Sequence, residues 1–240
     1  FACSTFTFKT VSLDNILAEA RDFVLRVRNH ACLGLLCGNN ELEVAWEQWG
    51  IPKSAIDQFC DYLTLFENEL PKLCGNLAPS TFYWRSSPSS EGKAICPGSQ
   101  DQGDAHCWEV WHGGEPFTFY RNKFFRFCSE YGYEAFPSIK TLRTISDEKQ
   151  LNAFSPIMES HQKCKGGNTK IFAKLSEYFY CPTDFEGIIF ASQIMQAEAI
   201  KYGAEHFRRN RGRCMGSTYW QLNDNWQTAS WSSIDYFGRW

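Results

Sequence analysis

The 240-residue chain is long enough and apolar enough to bury a sizeable core, as one large domain or two small ones. Its 16% aromatic content excludes a disordered protein, and its 24 basic and 27 acidic side chains are mixed, without the basic stripe that a nucleic-acid backbone requires. No apolar run approaches the roughly 20 residues that span a bilayer. We therefore expect a folded protein that binds neither nucleic acid nor a membrane.

Helices and short apolar strands alternate along the first half of the chain. Apolar residues at helical spacing predict a helix over residues 12–28, with Asp14 as a possible cap. Residues 31–37 form an apolar run typical of a parallel strand covered on both faces, and a polar turn over residues 38–41 follows. A second helix is predicted over residues 54–73 and a strand over residues 81–84. The apolar side of this second helix comprises Ile56, Phe59, Leu63, Phe66 and Leu70.

The second half continues the alternation. A loop rich in Ser, Pro and Gly runs to Asp104, and apolar runs predict strands over residues 106–111, 124–128 and 217–222. Residues 159–169 are polar and suggest an exposed loop. A long helix is predicted over residues 184–211, with Gly212 placed to cap it, and the basic run 208–213 complements the helix dipole.

The order of these elements predicts the fold class. Strands that alternate with helices indicate a parallel α/β architecture. A (β/α)8 TIM barrel fits better than a doubly wound sheet, because the strand ends carry polar or aromatic residues and no Gly-rich phosphate loop occurs. About five strands can be counted, from about the third or fourth to the eighth, so we expect an incomplete barrel. Residues 1–240 would be its C-terminal part, and the partner would be the missing N-terminal part of the parent chain.

The cysteines bear on metal binding and on the cellular compartment. Eleven cysteines, an odd number without a C-x-x-C pair, favour neither a disulfide scaffold nor a zinc site. Buried, reduced thiols are the better interpretation, and no N-x-S/T sequon occurs. We expect no metal, no cofactor and a cytoplasmic location, while a lysosomal or periplasmic parent chain stays open.

Two glutamates occupy equivalent places in the predicted barrel. Glu41 follows a buried strand after Gly-Asn-Asn, and Glu130 follows another after Cys-Ser. Both would stand at the carboxyl-terminal face, where barrel enzymes hold their active sites. Paired carboxylates in an aromatic-lined cleft are the groups that hydrolyse glycosides. Either glutamate alone could be a helix-starting residue favoured by the helix dipole, but the pair favours catalysis.

Three motifs follow one another along the chain. They are Gly-Asn-Asn-Glu at 38–41, Phe-Cys-Ser-Glu-Tyr-Gly-Tyr-Glu-Ala-Phe-Pro-Ser at 127–138, and Gly-Ser-Thr-Tyr-Trp-Gln-Leu-Asn-Asp-Asn-Trp at 216–226 with Ala-Ser-Trp-Ser-Ser-Ile-Asp at 229–235. In this order they resemble the motifs of the β-mannosidases of glycoside hydrolase family two. The resemblance extends from residues 1–3 to residues 237–240. It implies a catalytic (β/α)8 barrel with accessory β-sandwich domains upstream, and a retaining mechanism in which Glu41 is the acid/base and Glu130 the nucleophile.

The resemblance also implies a set of sugar contacts. Asn40 would contact the sugar 2-hydroxyl, whereas Asn39 is interpreted as a turn residue. Trp220 would form the aromatic floor under the sugar, with Asn223 and Asp224 directly after it.

Around the sixth strand, related enzymes place residues that orient the nucleophile or line the sugar site. His106, Trp108, Trp111 and His112 lie there, and His112 is the preferred contact. Trp84 on the fifth strand is a further predicted sugar contact. Glu134 is interpreted as a supporting or structural carboxylate.

The implied substrate is a mannose-containing glycoside or oligosaccharide, from which terminal non-reducing β-D-mannose is removed. A β-galactosidase or β-glucuronidase of the same family is an alternative, because the glutamate pair alone does not select the sugar. The Trp-Gln-Leu-Asn-Asp segment favours mannose. A non-catalytic carbohydrate-binding barrel is the other alternative, and in that protein Glu41 or Glu130 would be dispensable.

Overall fold

The computed structural model describes residues 3–9, 11–51 and 55–240. The predicted helix start at Ser54 lies outside these ranges, as do Phe1 and Ala2, where the family resemblance begins. The chain divides into two compact units. Unit 1 comprises Phe1–His106 and Phe125–Ser129, and unit 2 comprises Cys107–Phe124 and Glu130–Trp240.

Unit 1 begins with the first predicted helix, α1, over Leu13–Val27. Its start is set by Ser12, whose hydroxyl oxygen accepts a hydrogen bond from the Asn15 amide at 3.4 Å. Ser12 is therefore the cap, and the prediction of Asp14 was wrong by two residues; Asp14 lies in the first turn, where its charge favours the helix dipole.

The second predicted helix consists of three consecutive segments. They are α3 over Ile56–Tyr62, a π-helix over Leu63–Glu69 and α4 over Leu70–Leu77. Phe66 and Leu70 are buried as predicted, but Ile56 is 65% exposed. A π-helical turn holds more residues than an α-helical turn. Residues chosen at α-helical spacing therefore do not all lie on one side of a helix that contains a π-helical segment. A further helix, α2 over Leu42–Gln48, was not predicted.

Two short strands of unit 1 pair in parallel, which confirms the prediction for this part of the chain. Strand β1 spans Leu35–Cys37 and β2 spans Phe82–Trp84, with Leu36 opposite Tyr83. Leu36 is buried against residues of α1 and α4. Leu35 is 45% exposed, so within unit 1 the helices cover one face of the strand and the prediction of cover on both faces was wrong.

The remaining strands differ from the predictions: the third is shorter than residues 106–111, and the fourth does not lie over residues 124–128 but begins at Cys128, so that it contains Glu130. Strand β3 spans Ala105–Cys107 and β4 spans Cys128–Tyr131, and they form a second two-stranded sheet. Within unit 1, the Ala105 amide donates to the Phe127 carbonyl at 2.9 Å. The predicted strand over residues 106–111 ends early because residues 109–112 form a turn, in which the His112 amide donates to the Trp108 carbonyl.

Unit 2 is mainly helical. The long predicted helix, α8, spans Phe185–Arg209; Asp184 caps its start, and Asn210, not Gly212, stands at its end. Arg208 and Arg209 lie in the last turn, as predicted for residues that complement the dipole. The other elements are α5 over Ile139–Leu142, α6 over Pro156–Ser160, α7 over Gly167–Tyr178, and 3-10 helices over Phe117–Asn122 and Glu148–Gln150.

Of two predictions for unit 2, one holds in part and one was wrong. The exposed loop predicted over residues 159–169 is confirmed for residues 161–166, but its ends belong to α6 and α7, where Asn168 is only 2% exposed and donates to the Ala153 carbonyl at 2.7 Å. The strand over residues 217–222 is absent from the described residues. Its backbone partners are divided, because the Trp220 amide donates to Tyr131 and the Gln221 amide donates to Trp231.

The described residues thus contain four short strands in two pairs, where five had been predicted. None of the described helices has the length and apolar character needed to cross a membrane. The thiols are less buried than expected, because six cysteines are exposed. These are Cys3, Cys32, Cys37, Cys60, Cys96 and Cys181.

Candidate active site

The turn after β1 fixes the backbone of Glu41. The Glu41 amide donates to the Ser87 carbonyl at 2.7 Å, and the Ser87 amide donates to the Asn39 carbonyl at 3.0 Å, so pairing with the segment after β2 continues past the strand ends. A Cβ atom on Gly38 would lie 2.4 Å from the Arg85 carbonyl oxygen, so only glycine fits there. The turn is therefore held tightly against the neighbouring segment.

Asn39 and Asn40 have different environments. Asn39 is 2% exposed; its amide nitrogen donates to the Arg85 carbonyl at 2.9 Å, and its side-chain oxygen accepts from the Ser86 hydroxyl at 2.8 Å. It is thus a turn residue whose buried side chain supports the turn. Asn40 is half-buried and forms an isolated parallel bridge with Ser87.

The Glu41 carboxyl group is directed at a histidine. Glu41 stands directly before α2 with a left-handed backbone (φ 58°), but its side chain makes no capping hydrogen bond. Oε1 instead lies 2.7 Å from Nδ1 of His106, and the two side chains are 17% and 5% exposed, respectively. The helix-starting interpretation of Glu41 therefore does not account for where its carboxylate lies.

His106 is part of a hydrogen-bond network centred on Asp104. Nε2 of His106 lies 3.0 Å from the Ser87 hydroxyl oxygen, which donates to Oδ2 of Asp104 at 2.7 Å. The Ser129 hydroxyl donates to the same oxygen at 2.5 Å. Oδ1 of Asp104 accepts from Nε1 of Trp84 at 2.8 Å, so the predicted sugar contact Trp84 is tied to this network in unit 1.

Glu130 lies within β4, in unit 2, and not at a helix start. Its Oε2 accepts a hydrogen bond from Nε1 of Trp108 at 3.3 Å. The indole ring of Trp108 packs edge-on against Trp231, with ring centroids 6.1 Å apart. A hydrogen-bond donor on a packed aromatic ring stabilises the ionised form of a carboxylate and fixes its direction.

The two other aromatic candidates after β3 differ in exposure. Trp111 is 1% exposed and packs edge-on against Tyr133 at 4.8 Å, so its ring has no face for a sugar and that prediction is corrected to a core position. His112 is exposed, and its ring lies 5.4 Å from that of Trp108. Nδ1 of His112 is 3.5 Å from Nζ of Lys170.

The segment after Gly216 holds the last predicted contacts. Trp220 is 43% exposed, and a Cβ on Gly132 would lie 2.2 Å from the Trp220 carbonyl oxygen, so this segment passes very close to the residues after Glu130. Asn223 is exposed. Asp224 is half-buried and accepts from the Ser230 hydroxyl at 2.7 Å, and burial raises its pKa above the ordinary value.

Glu134 is a buried carboxyl group, in agreement with its interpretation as a supporting residue. It is fully buried, Oε2 accepts from Nε2 of Gln162 at 2.9 Å, and Oε1 has no partner among the described residues. Burial raises the pKa of Glu134 to about 8. The group is therefore largely neutral at pH 7.

The structure groups the predicted residues within each unit. Unit 1 brings Glu41, His106 and Trp84 together around Asp104, and unit 2 brings Glu130, Trp108 and His112 together. Sequence reasoning missed Asp104 and Ser87 and preferred His112 to His106. The one local signal for Asp104 was its position two residues before the strand predicted over residues 106–111.

No protein-family model matches the chain. β-Mannosidase B from Aspergillus terreus and that from Emericella nidulans are each 33% identical to it over 100% of the chain and 30% of their own length. The crystal structure of a β-D-mannosidase from Dictyoglomus thermophilum superposes with a TM-score of 0.90 at 35% identity, over 100% of this chain and 29% of that one. The chain thus spans about 30% of the length of these relatives. The resemblance inferred from the three motifs is confirmed, and the chain is homologous over its whole length to a segment of the β-mannosidases.

Proposed function

We propose that the chain is part of a retaining exo-β-mannosidase, which removes terminal non-reducing β-D-mannose from β-mannosides and manno-oligosaccharides. The observation that carries the proposal is the whole-length similarity to β-mannosidases, in a chain that has one glutamate shortly after strand β1 and another within strand β4. The surroundings of each glutamate support the role assigned to it.

The proposed reaction has two displacement steps. In the first, the Glu130 carboxylate attacks the anomeric carbon while Glu41 gives its proton to the glycosidic oxygen, so that the carbon–oxygen bond breaks and the aglycone leaves as an alcohol. In the second, Glu41 takes a proton from water, whose oxygen attacks the anomeric carbon and releases mannose and the Glu130 carboxylate. Such a mechanism requires the two carboxyl groups about 5 Å apart.

The contacts within each unit suit these roles. Nε1 of Trp108 donates to Glu130, which favours the ionised nucleophile. Nδ1 of His106 contacts Oε1 of Glu41. We therefore assign the proton exchange with the substrate to the other carboxyl oxygen of Glu41, Oε2. For the sugar we assign Asn40 to the 2-hydroxyl and Trp220 to the ring face. The remaining proposed contacts are Trp84, His112, Asn223 and Asp224.

We also propose that the chain forms the later part of a (β/α)8 barrel. The parallel pairing of β1 with β2, and the position of Glu41 just past β1, support this arrangement. The earlier strands and accessory β-sandwich domains would belong to the remainder of a longer chain, in keeping with the 30% of the relatives' length that is matched.

A panel of nitrophenyl glycosides, tested on the full-length protein that contains this chain, decides the sugar. We expect the fastest release of nitrophenol from the β-mannoside. Faster release from the β-galactoside or the β-glucuronide would overturn the assignment to mannose.

Substitution of the proposed nucleophile distinguishes a catalytic barrel from a non-catalytic carbohydrate-binding barrel. Glu130→Ala is expected to abolish turnover, whereas Glu205→Ala, at an exposed position on α8, leaves it unchanged. Full activity of the Glu130→Ala variant would remove the proposed mechanism.

A further inference from the structure

Asp104 is a buried carboxylate whose hydrogen-bonding capacity is filled. It is 8% exposed, and its two oxygens accept four hydrogen bonds, from Trp84, Ser87, Ser129 and the Ser89 amide. An ionised carboxylate has about four acceptor sites and no hydrogen to donate. Burial of an ionised group is costly unless it is satisfied in this way, so the position of the carboxylate is strongly determined.

Ser87 connects this carboxylate to Glu41 by two routes. Its carbonyl oxygen accepts the Glu41 amide at 2.7 Å, which fixes the backbone. Its hydroxyl hydrogen is directed to Asp104, and the same oxygen contacts Nε2 of His106 at 3.0 Å. The other ring nitrogen of His106 holds Oε1 of Glu41. The imidazole is thus held at both nitrogens and cannot turn without breaking a contact.

Among the described residues of unit 1, the contact that orients the Glu41 carboxyl group is the one with Nδ1 of His106, because the side chain does not cap α2. A general acid must be within hydrogen-bond reach of the leaving oxygen, and a misplacement of about 1 Å can cost on the order of 100-fold in rate.

We propose that Asp104 and Ser87 are positioning residues for the acid/base: they fix His106, which in turn aims the Glu41 carboxyl group. The inference rests on the proposed function of Glu41. It adds two residues, from the loop between β2 and β3, to the set that the reaction requires. Neither residue is proposed to contact the substrate. Both act on the direction of the Glu41 carboxyl group through the imidazole of His106.

The test compares leaving groups in the full-length protein. Ser87→Ala removes one hydroxyl group, and Ser87→Thr keeps it. A methyl β-mannoside needs a proton on its leaving oxygen, whereas a dinitrophenyl β-mannoside does not. Because kcat/KM reports only steps up to formation of the glycosyl–enzyme, we expect Ser87→Ala to lower it about 10- to 100-fold for the methyl glycoside and less than about threefold for the dinitrophenyl glycoside.

Matched variants separate positioning from general damage. Ser87→Thr is expected to restore most of the lost activity, and Asp104→Asn to show the same leaving-group selectivity. Ser99→Ala and Asp101→Asn make the same chemical changes in the same loop and should leave both rates unchanged. An equal loss on both substrates, or no loss on either, would overturn the proposal.

A crystal structure of the full-length Ser87→Ala variant gives a readout independent of activity. We expect the imidazole to rotate and the 2.7 Å contact between His106 Nδ1 and Glu41 Oε1 to be lost. An unchanged contact would overturn the positioning role. Absence of activity in the unmodified protein would instead overturn the proposed function, so the two failures are distinguishable.

Discussion

Glu134→Gln tests how burial controls the charge of a carboxyl group next to the proposed catalytic segment. The group is fully buried, a Cβ on Gly167 would lie 2.6 Å from its Oε2, and Oε1 has no partner among the described residues. Burial is the main cause of the raised pKa; the hydrogen bond from Gln162 and the charge of Lys170 act in the opposite direction, and Asp224 adds to the rise. The substitution keeps the shape of the neutral acid and removes its ionisation.

The magnitude follows from the shift in pKa. A rise from the ordinary 4.5 to about 8 corresponds to roughly 5 kcal/mol, at about 1.36 kcal/mol per unit. Because the folded-state pKa is the higher one, the folded protein binds more protons than the unfolded chain between these values. The stabilisation is complete below pH 4.5 and is lost as the pH rises to about 8. Glu134→Gln should therefore become more stable relative to the unmodified protein as the pH increases.

The assay is thermal unfolding of the full-length protein at pH 5, 7 and 9. Since about 1 kcal/mol shifts Tm by about 2–4 °C in a domain of 150–250 residues and by less in a longer cooperative unit, the Tm difference between variant and unmodified protein should change by several degrees across this range. Glu19→Gln, at an exposed position on α1, is the control and should give a constant difference. A Tm difference for Glu134→Gln that does not change with pH would refute the reasoning.

Two further predictions concern the surroundings of each glutamate. Gly38→Ala places a Cβ 2.4 Å from the Arg85 carbonyl oxygen and should lower the free energy of unfolding by about 1–3 kcal/mol. Gly34→Ala, where a Cβ has open space, should lower it by less than about 1 kcal/mol, and equal effects of the two variants in a denaturant titration would contradict the close approach. Trp108→Phe removes the hydrogen bond to Glu130 and should lower kcat for β-mannosides about tenfold; an unchanged kcat would exclude that role.

Elements with long periodic patterns could be predicted from the sequence. Helix α8 has Ile189, Met195 and Ala199 buried along one side, and this spacing is readable over 25 residues. Helix α2 has seven residues, too few for a period to emerge, and it was missed. The prediction of a strand at residues 217–222 was wrong. Residue types that favour strands do not reveal whether the backbone amides of a segment pair with one neighbouring segment or with two.

Candidate site residues could be predicted only where a local sequence signal marks them. Glu41 and Glu130 follow short apolar runs, which is a local signal. Ser87 and Asp104 are 17 residues apart and meet only through the fold; Ser87 has no local signal, and the position of Asp104 shortly before a predicted strand does not reveal its partners. Trp111 was misassigned because a tryptophan after a strand has the same sequence signature whether its ring lies in a cleft or in the core.

Covalent trapping tests the central claim most directly. A 2-deoxy-2-fluoro-β-mannosyl fluoride, incubated with the full-length protein, should inactivate it and leave a stable mannosyl ester. Mass spectrometry of a proteolytic digest is expected to place the label on the peptide containing Glu130. Inactivation with the label on another carboxylate, such as Glu41 or Glu134, or full turnover without any labelled intermediate, would contradict the assignment of Glu130 as the nucleophile of a retaining β-mannosidase.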